Sequence, residues 1–127
     1  MKILLIEPDA VLAATYVTAL EAAGHSVAYA HTAQQAVMLA DEQKPGLVIL
    51  EPQMARHNGI EFLYEFKSYP EWQRIPVIIL TSVPPSELEK LSVLRSQLSV
   101  VAVLGKSKTS LADLGATVAS AVPRAKA

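Results

Sequence analysis

An α/β domain with a five-stranded parallel sheet and helices on both faces is the fold this sequence predicts. Three observations carry it. Short apolar runs alternate with longer amphipathic ones five times along the chain, the pattern of βα units joined by right-handed crossovers. The middle run, Gly46-Leu47-Val48-Ile49-Leu50, carries no polar side chain, as expected of a strand buried on both faces. Hydrophobic residues make up 51% of the 127 and charged residues 18%, enough for one domain with a core on each side of a sheet.

Each element has its own signal. Ile3 to Ile6 is the first strand. Asp9 can cap a helix carrying Leu12, Tyr16, Val17 and Leu20, which ends at Gly24. His25 to Ala30 is the second strand. Thr32 can cap a helix with Ala36, Val37, Leu39 and Ala40, which stops before Pro45. Leu47 to Leu50 is the third strand. Ile60, Leu63, Tyr64 and Phe66 have helical spacing and form the third helix. Pro76 to Leu80 is the fourth strand, with proline at its tolerated first position. Ser86 and Glu89 make a capping-box pattern for a fourth helix. Val100 to Leu104 is the fifth strand. Leu111 to Val122 is the last helix, ended by Pro123 and followed by a short tail, so the domain is expected over 1–122 with 123–127 outside it.

Composition excludes several function classes. The formal net charge is −1, so no bulk attraction to nucleic acid or anionic membrane is expected. There are no cysteines, which removes disulfides and thiolate metal sites. The N-terminal apolar run is too short for a signal peptide and no segment reaches the length of a membrane span. A soluble, cytoplasmic location is the expectation.

In such a sheet the functional edge is formed by the loops at the carboxyl ends of the strands. Those loops begin at Glu7, Glu51, Thr81 and Gly105-Lys106. Two carboxylates, a hydroxyl and an ammonium thus converge on one rim. Such a set suits a phosphoryl group with a divalent cation, the carboxylates facing metal and the Thr and Lys facing oxygens. Two like charges in one cleft raise a carboxyl pKa, and Lys106 opposes that shift, so a Lys106–Glu51 pair standing in place of a metal–phosphoryl bridge is expected.

The chain resembles the receiver domains of bacterial response regulators, including the chemotaxis regulators. Met1-Lys2-Ile3-Leu4-Leu5-Ile6-Glu7-Pro8-Asp9 is similar to the first receiver strand with its acidic cluster. Lys44-Pro45-Gly46-Leu47-Val48-Ile49-Leu50-Glu51 is similar to the strand leading to the phosphoacceptor, with Met54 and Gly59 following as receivers commonly have them. Arg74-Ile75-Pro76-Val77-Ile78-Ile79-Leu80-Thr81-Ser82 matches the fourth strand and its switch residue, and Gly105-Lys106 the end of the fifth. The resemblance implies a flavodoxin-like (βα)5 fold with strand order 2-1-3-4-5. It implies that Glu51 holds the phosphoacceptor position, that Glu7, Asp9 and Gln53 hold the acidic and metal-site positions for Mg²⁺, and that Thr81 and Lys106 hold the positions contacting the phosphoryl group.

Four departures from the receiver pattern stand out. The acceptor is Glu51 where receivers carry Asp. Its extra methylene pushes the oxygens about 1.3–1.5 Å further into the site, and a misplacement of about 1 Å can cost on the order of 100-fold in transfer. Pro8 replaces the second member of the acidic pair, which weakens an Mg²⁺ site needing near-octahedral oxygens. Ser107 follows the lysine where receivers have a cis proline, so a trans bond and a relaxed loop that could re-aim Lys106 are expected. Val103 stands at the switch-aromatic position, and Pro84-Pro85 stiffens the loop after Thr81.

Without phosphotransfer, function falls to the surface. On the fourth helix Leu88, Leu91, Leu94 or Arg95, and Leu98 follow core spacing, and Val93 lies about 200° around from Leu91. Lys90, Val93 and Arg95 are therefore candidate partner-face residues. A homodimer through the fourth helix, fifth strand and fifth helix is one expected use of that face, and a sensor kinase or downstream signalling protein is another. His25 and His31 are expected on the surface, His57 near the loop after Glu51, and Trp72 half-buried over the end of the third helix. The function expected is a non-enzymatic, receiver-like signalling protein acting through protein contacts. The alternative is a phosphorylatable receiver using Glu51 or Asp9 with Mg²⁺. A small-molecule flavodoxin-like binder stands third, since no Gly-rich phosphate loop is present.

Overall fold

Alternation along the strands builds two cores from one sheet. In β1 (Lys2–Ile6), Leu4 and Ile6 face one side while Ile3 and Leu5 face the other, the two-residue period of a strand. In the computed structural model, which describes residues 1–54, 59–83 and 96–126 and, from residue 122 on, the backbone alone, β1 is joined by β2 (Ser26–Ala30), β3 (Leu47–Leu50), β4 (Val77–Thr81) and β5 (Val100–Gly105). All pairings are parallel and the order is β2-β1-β3-β4-β5. This is the predicted order. β3 and β4 are buried at every residue, whereas the edge strands β2 and β5 are only partly covered.

The helices divide between the faces. Helices α1 (Ala10–Ala22) and α4 (Leu111–Lys126) cover one face, where Ala13, Tyr16, Leu20, Leu114, Val118 and Ala121 pack on Ile3, Leu5, Ile49 and Ile78. Helices α2 (Ala33–Glu42) and α3 (Gly59–Lys67) cover the other, where Ala36, Ala40, Leu63 and Phe66 pack on Leu4, Val48 and Ile79. Caps appear where the sequence placed them. The Asp9 carboxylate accepts from the N–H groups of Val11 and Leu12, and the Thr32 hydroxyl from that of Gln35. Gly24, at φ +94°, turns the chain out of α1 while the Gly24 and His25 N–H groups close on the carbonyls of Glu21 and Leu20.

Three expectations are corrected. Helix α4 continues to Lys126 instead of ending at Pro123, because a proline forfeits one helical hydrogen bond without requiring the remaining turns to unwind. Trp72 is only 4% exposed and not half-buried. It sits in a 3-10 turn (Pro70–Trp72), stacks on Phe66 at 4.7 Å and meets Tyr69 at 4.8 Å. His25 is partly buried, with its Nδ1 lacking a partner, while His31 is exposed as expected. The fourth helix predicted from Ser86, the Pro84-Pro85 pair and His57 lie outside the described residues.

Candidate functional site

The strand ends carry the polar groups to one rim, and the backbone ladder holds them there. Glu7 follows β1 and donates its N–H to the Ala30 carbonyl at 3.0 Å. Glu51 follows β3 and donates its N–H to the Ile6 carbonyl at 3.0 Å. Thr81 is the last residue of β4, and Lys106 follows β5. Glu7 is 2% exposed, Glu51 3% and Thr81 0%. Two carboxylates have therefore been taken out of water, which is tolerable only if their charge is compensated.

Lys106 supplies the compensation. Its Nζ lies 2.6 Å from Glu7 Oε1 and 2.9 Å from Glu51 Oε1. The sequence raised the prospect that Lys106 would be re-aimed by a relaxed loop. The trans bond expected after Lys106 is present, no cis peptide bond occurring among the described residues, but the loop does not turn the lysine away: residues Lys106–Lys108 form a 3-10 turn, and the ammonium points into the rim and makes the expected pair with Glu51. The attraction of two buried carboxylates decides its direction, a tertiary effect that the local sequence does not contain.

The remaining carboxylate oxygens are also engaged. Glu7 Oε2 accepts from the Asp9 N–H at 3.0 Å. Glu51 Oε2 accepts from the Gln53 N–H at 3.2 Å, and Glu51 Oε1 accepts from the Ser82 N–H at 3.0 Å and the Ser82 hydroxyl at 3.2 Å. Burial pushes the Glu51 carboxyl up. Lys106, the Gln53 and Ser82 N–H groups and the Thr81 hydroxyl together outweigh it and hold its pKa below the ordinary value. At Glu51, then, the lysine wins over the like-charge repulsion expected from the sequence. Burial also pulls Lys106 down, but its bonds to Glu7 and Glu51 and their charges raise it above the ordinary lysine value. The site is a carboxylate–ammonium–carboxylate bridge.

Asp9 and Gln53 stand at the periphery. Both are exposed. The Asp9 side chain is spent on the cap of α1, and the Gln53 side-chain oxygen, 3.2 Å from the Ser82 hydroxyl, shares that hydroxyl's one proton with Glu51. The loop after Glu51 closes where the Gly59 N–H donates to the Pro52 carbonyl at 2.8 Å. A Cβ on Gly59 would meet Pro52 Cα at 2.4 Å, so only glycine permits this approach. Lys90, Val93 and Arg95 lie outside the described residues.

Two contributors escaped the sequence reading. Ser82 supplies two of the hydrogen bonds to Glu51, and its only signal was its place directly after Thr81. Tyr29, on the edge strand β2, donates its hydroxyl to the Glu7 carbonyl at 2.8 Å. A tyrosine in a strand of otherwise small residues was the available hint, but its reach across to β1 depends on the register Leu5↔Tyr29.

The Mg²⁺ implied by the receiver resemblance does not fit this donor set. A magnesium ion needs unshared oxygens at short, near-octahedral distances. Here both buried carboxylates face an ammonium, and the position of a further acidic ligand is Pro8. Among the described residues no group of three or more His, Asp or Glu side chains could hold a metal ion.

Comparison with known proteins agrees with the architecture. The family model described as "Response regulator receiver domain" matches residues 3–106. The KDP operon transcriptional regulatory protein KdpE of Escherichia coli (strain K12) is 33% identical over 93 residues, which cover 73% of this chain and 40% of KdpE. The transcriptional regulatory protein CpxR of the same organism is 36% identical over 90 residues, covering 71% of this chain and 37% of CpxR. This chain thus spans well under half the length of either relative. Among solved structures, a two-component response regulator from Clostridium difficile superposes with a TM-score of 0.85 at 22% identity, covering 100% of this chain and 99% of that one. The Vibrio cholerae chemotaxis protein CheY4 superposes with a TM-score of 0.84 at 18% identity, covering 94% and 97%. These two likenesses speak to the fold alone. With the family match over residues 3–106 and the strand order β2-β1-β3-β4-β5, the chain belongs to the response regulator receiver domain family of two-component signalling.

Proposed function

We propose that this receiver domain does not undergo ordinary phosphotransfer and acts through protein–protein contacts, as a non-enzymatic pseudo-receiver whose switch site is held in one state. The observation that carries this reading is the Lys106 ammonium between two buried carboxylates, 2.6 Å from Glu7 and 2.9 Å from Glu51. An acceptor carboxylate must offer a free oxygen for in-line attack, with positive charge reserved for the incoming group. Both Glu51 oxygens are hydrogen-bonded, its arm is one methylene longer than that of aspartate, and the cation beside it is already neutralised. A phosphoryl group would bring roughly two negative charges into a cleft without the second acidic partner for a metal. Glu51 itself supplies one fixed negative charge there, a partial stand-in for a phosphorylated aspartate.

Partners follow from the family: a sensor kinase or a downstream signalling protein, with self-association a further route. Strand β5 is a sheet edge beside α4, which supports placing the contact on that side; Lys90, Val93 and Arg95 are the candidates the sequence adds to it. The reading with Asp9 as acceptor is weaker, because its carboxylate caps α1 outside the buried bridge.

The test is incubation with beryllofluoride or acetyl phosphate in the presence of Mg²⁺, followed by intact mass and by amide chemical shifts around Thr81 and Ser82. The expected result is no added phosphoryl mass and no specific shift. A stoichiometric mass increase of one phosphoryl group, or saturable shifts at Thr81, would overturn the proposal.

A further inference from the structure

On the face opposite α1 and α4, α2 and α3 lie side by side. They meet through small residues on α2, Ala33, Ala36 and Ala40, against Phe62, Leu63 and Phe66 beneath them. Small residues bring the helices close at the core and leave a groove between them on the solvent side. The groove has a volume of about 420 Å³ and an apolar floor of Val37, Met38 and Phe62, with Glu61 and Glu65 along one wall.

Two features of this groove point to an occupant. First, Met38 is 58% exposed, an uncovered, polarizable side chain that can repack against a range of apolar groups. Second, Glu61 and Glu65 are one helical turn apart and carry the same charge, an arrangement that disfavours an isolated helix. Neither side chain has an ion pair or hydrogen bond among the described residues; the ion pairs found there belong to Lys106. Asp41 follows Val37 and Met38 at helical spacing on α2 and is exposed, so the second helix carries a negative charge one turn beyond the groove lining. The volume suits one or two large side chains and is too small for a whole helix, near the lower end of the range for ligand pockets. An anionic ligand, a nucleic acid or an anionic lipid surface would be repelled.

We propose that the α2–α3 groove is a docking site for a basic, amphipathic segment of a partner protein. The segment inserts one large apolar side chain over Met38 and Phe62 and sets arginines or lysines against Glu61 and Glu65. Charge complementarity selects the partner and steers its approach, while the apolar insertion supplies most of the affinity. The groove shares no residue with the Glu7–Lys106–Glu51 bridge, so this proposal stands or falls independently of the phosphorylation reading.

The probe is a short synthetic helical peptide with leucine at its centre and arginines one turn to either side, compared with a counterpart carrying glutamate in place of each arginine. Amide chemical shifts of the full chain are followed during titration. The arginine peptide is expected to shift Val37, Met38, Glu61 and Glu65 saturably, and the glutamate peptide to leave them unmoved. Met38→Asn should weaken arginine-peptide binding by about tenfold. The double variant Glu61→Lys/Glu65→Lys should prefer the glutamate peptide, and both variants change exposed side chains, so unchanged urea midpoints verify their folding. Equal response to the two peptides, shifts centred on β5 and α4, retention of the arginine preference by the charge-reversed variant, or concentration-dependent shifts of the groove without peptide would each overturn the proposal.

Discussion

Two lysines among the described residues are largely withdrawn from water, and their surroundings differ in one respect. Lys106, 14% exposed, sits between two carboxylates. Lys67, at the end of α3 and 6% exposed, has neutral partners: its ammonium donates to the carbonyl of Trp72 at 2.9 Å and to that of Ile75, and it lies 5.8 Å from the centre of the Phe66 ring. The outcome is opposite in sign. Lys106 is held above the ordinary lysine pKa, whereas burial pushes Lys67 down to about 8. Carbonyl dipoles satisfy the hydrogen bonds of a buried ammonium without repaying the loss of its hydration; carboxylates do both. One lysine therefore organises a site, and the other ties the end of α3 to the segment that leads into β4.

The largest effect that would break this contrast is at Lys106. Lys106→Met leaves two buried carboxylates facing each other without a cation and is expected to cost about 3–5 kcal/mol, read as a lowered urea midpoint at pH 7. A loss below about 1 kcal/mol would mean that the bridge contributes little. The pair also has a defined pH window. The pKa of Glu51 is depressed, so its contribution is full above the ordinary carboxyl value of 4.5 and is lost as pH falls through the lower folded value. The pKa of Lys106 is raised, so its contribution is full below 10.5 and is lost as pH rises through the higher folded value.

Lys67 should behave the other way. Between a folded pKa of about 8 and the ordinary 10.5, the unfolded chain binds the additional proton, so stability rises with pH. Lys67→Met is expected to cost only about 1 kcal/mol at pH 7, because it removes a desolvated charge along with two hydrogen bonds. Denaturant titrations of both proteins at pH 7 and pH 10 should then show the wild type gaining on the variant by roughly 2–3 kcal/mol. A constant difference would place the Lys67 pKa near that of an ordinary lysine. The smallest effect is at Ser82. Ser82→Ala removes the hydroxyl but leaves its N–H on Glu51, so a loss of about 0.5–1 kcal/mol is expected. A loss as large as that of Lys106→Met would shift the centre of the network from the lysine to the serine.

Much of the fold could be read from local signals. The apolar runs, the Asp9 and Thr32 caps and the Gly24 turn are written in adjacent residues, because strand burial, helix capping and positive φ are local demands. The boundary errors fall where local rules compete with longer-range ones. At Pro123 a strong helix-ending signal loses to continuation of α4 to Lys126. At Trp72 a residue expected at the margin is drawn into an aromatic stack with Phe66.

The sequence by itself determined the five βα units, the rim that carries Glu7, Glu51, Thr81 and Lys106, and the departures from the receiver pattern at Pro8, Glu51, Val103 and Ser107. Tertiary structure alone decided what those residues do to one another. Whether Lys106 turned away or inward, whether Ser82 and Tyr29 joined the site, and whether Lys67 was a surface charge or a buried one all depend on distances between strands remote in sequence. The physical reason is that Coulomb and hydration energies depend on separation and burial, and neither exists until the sheet has brought the strand ends together.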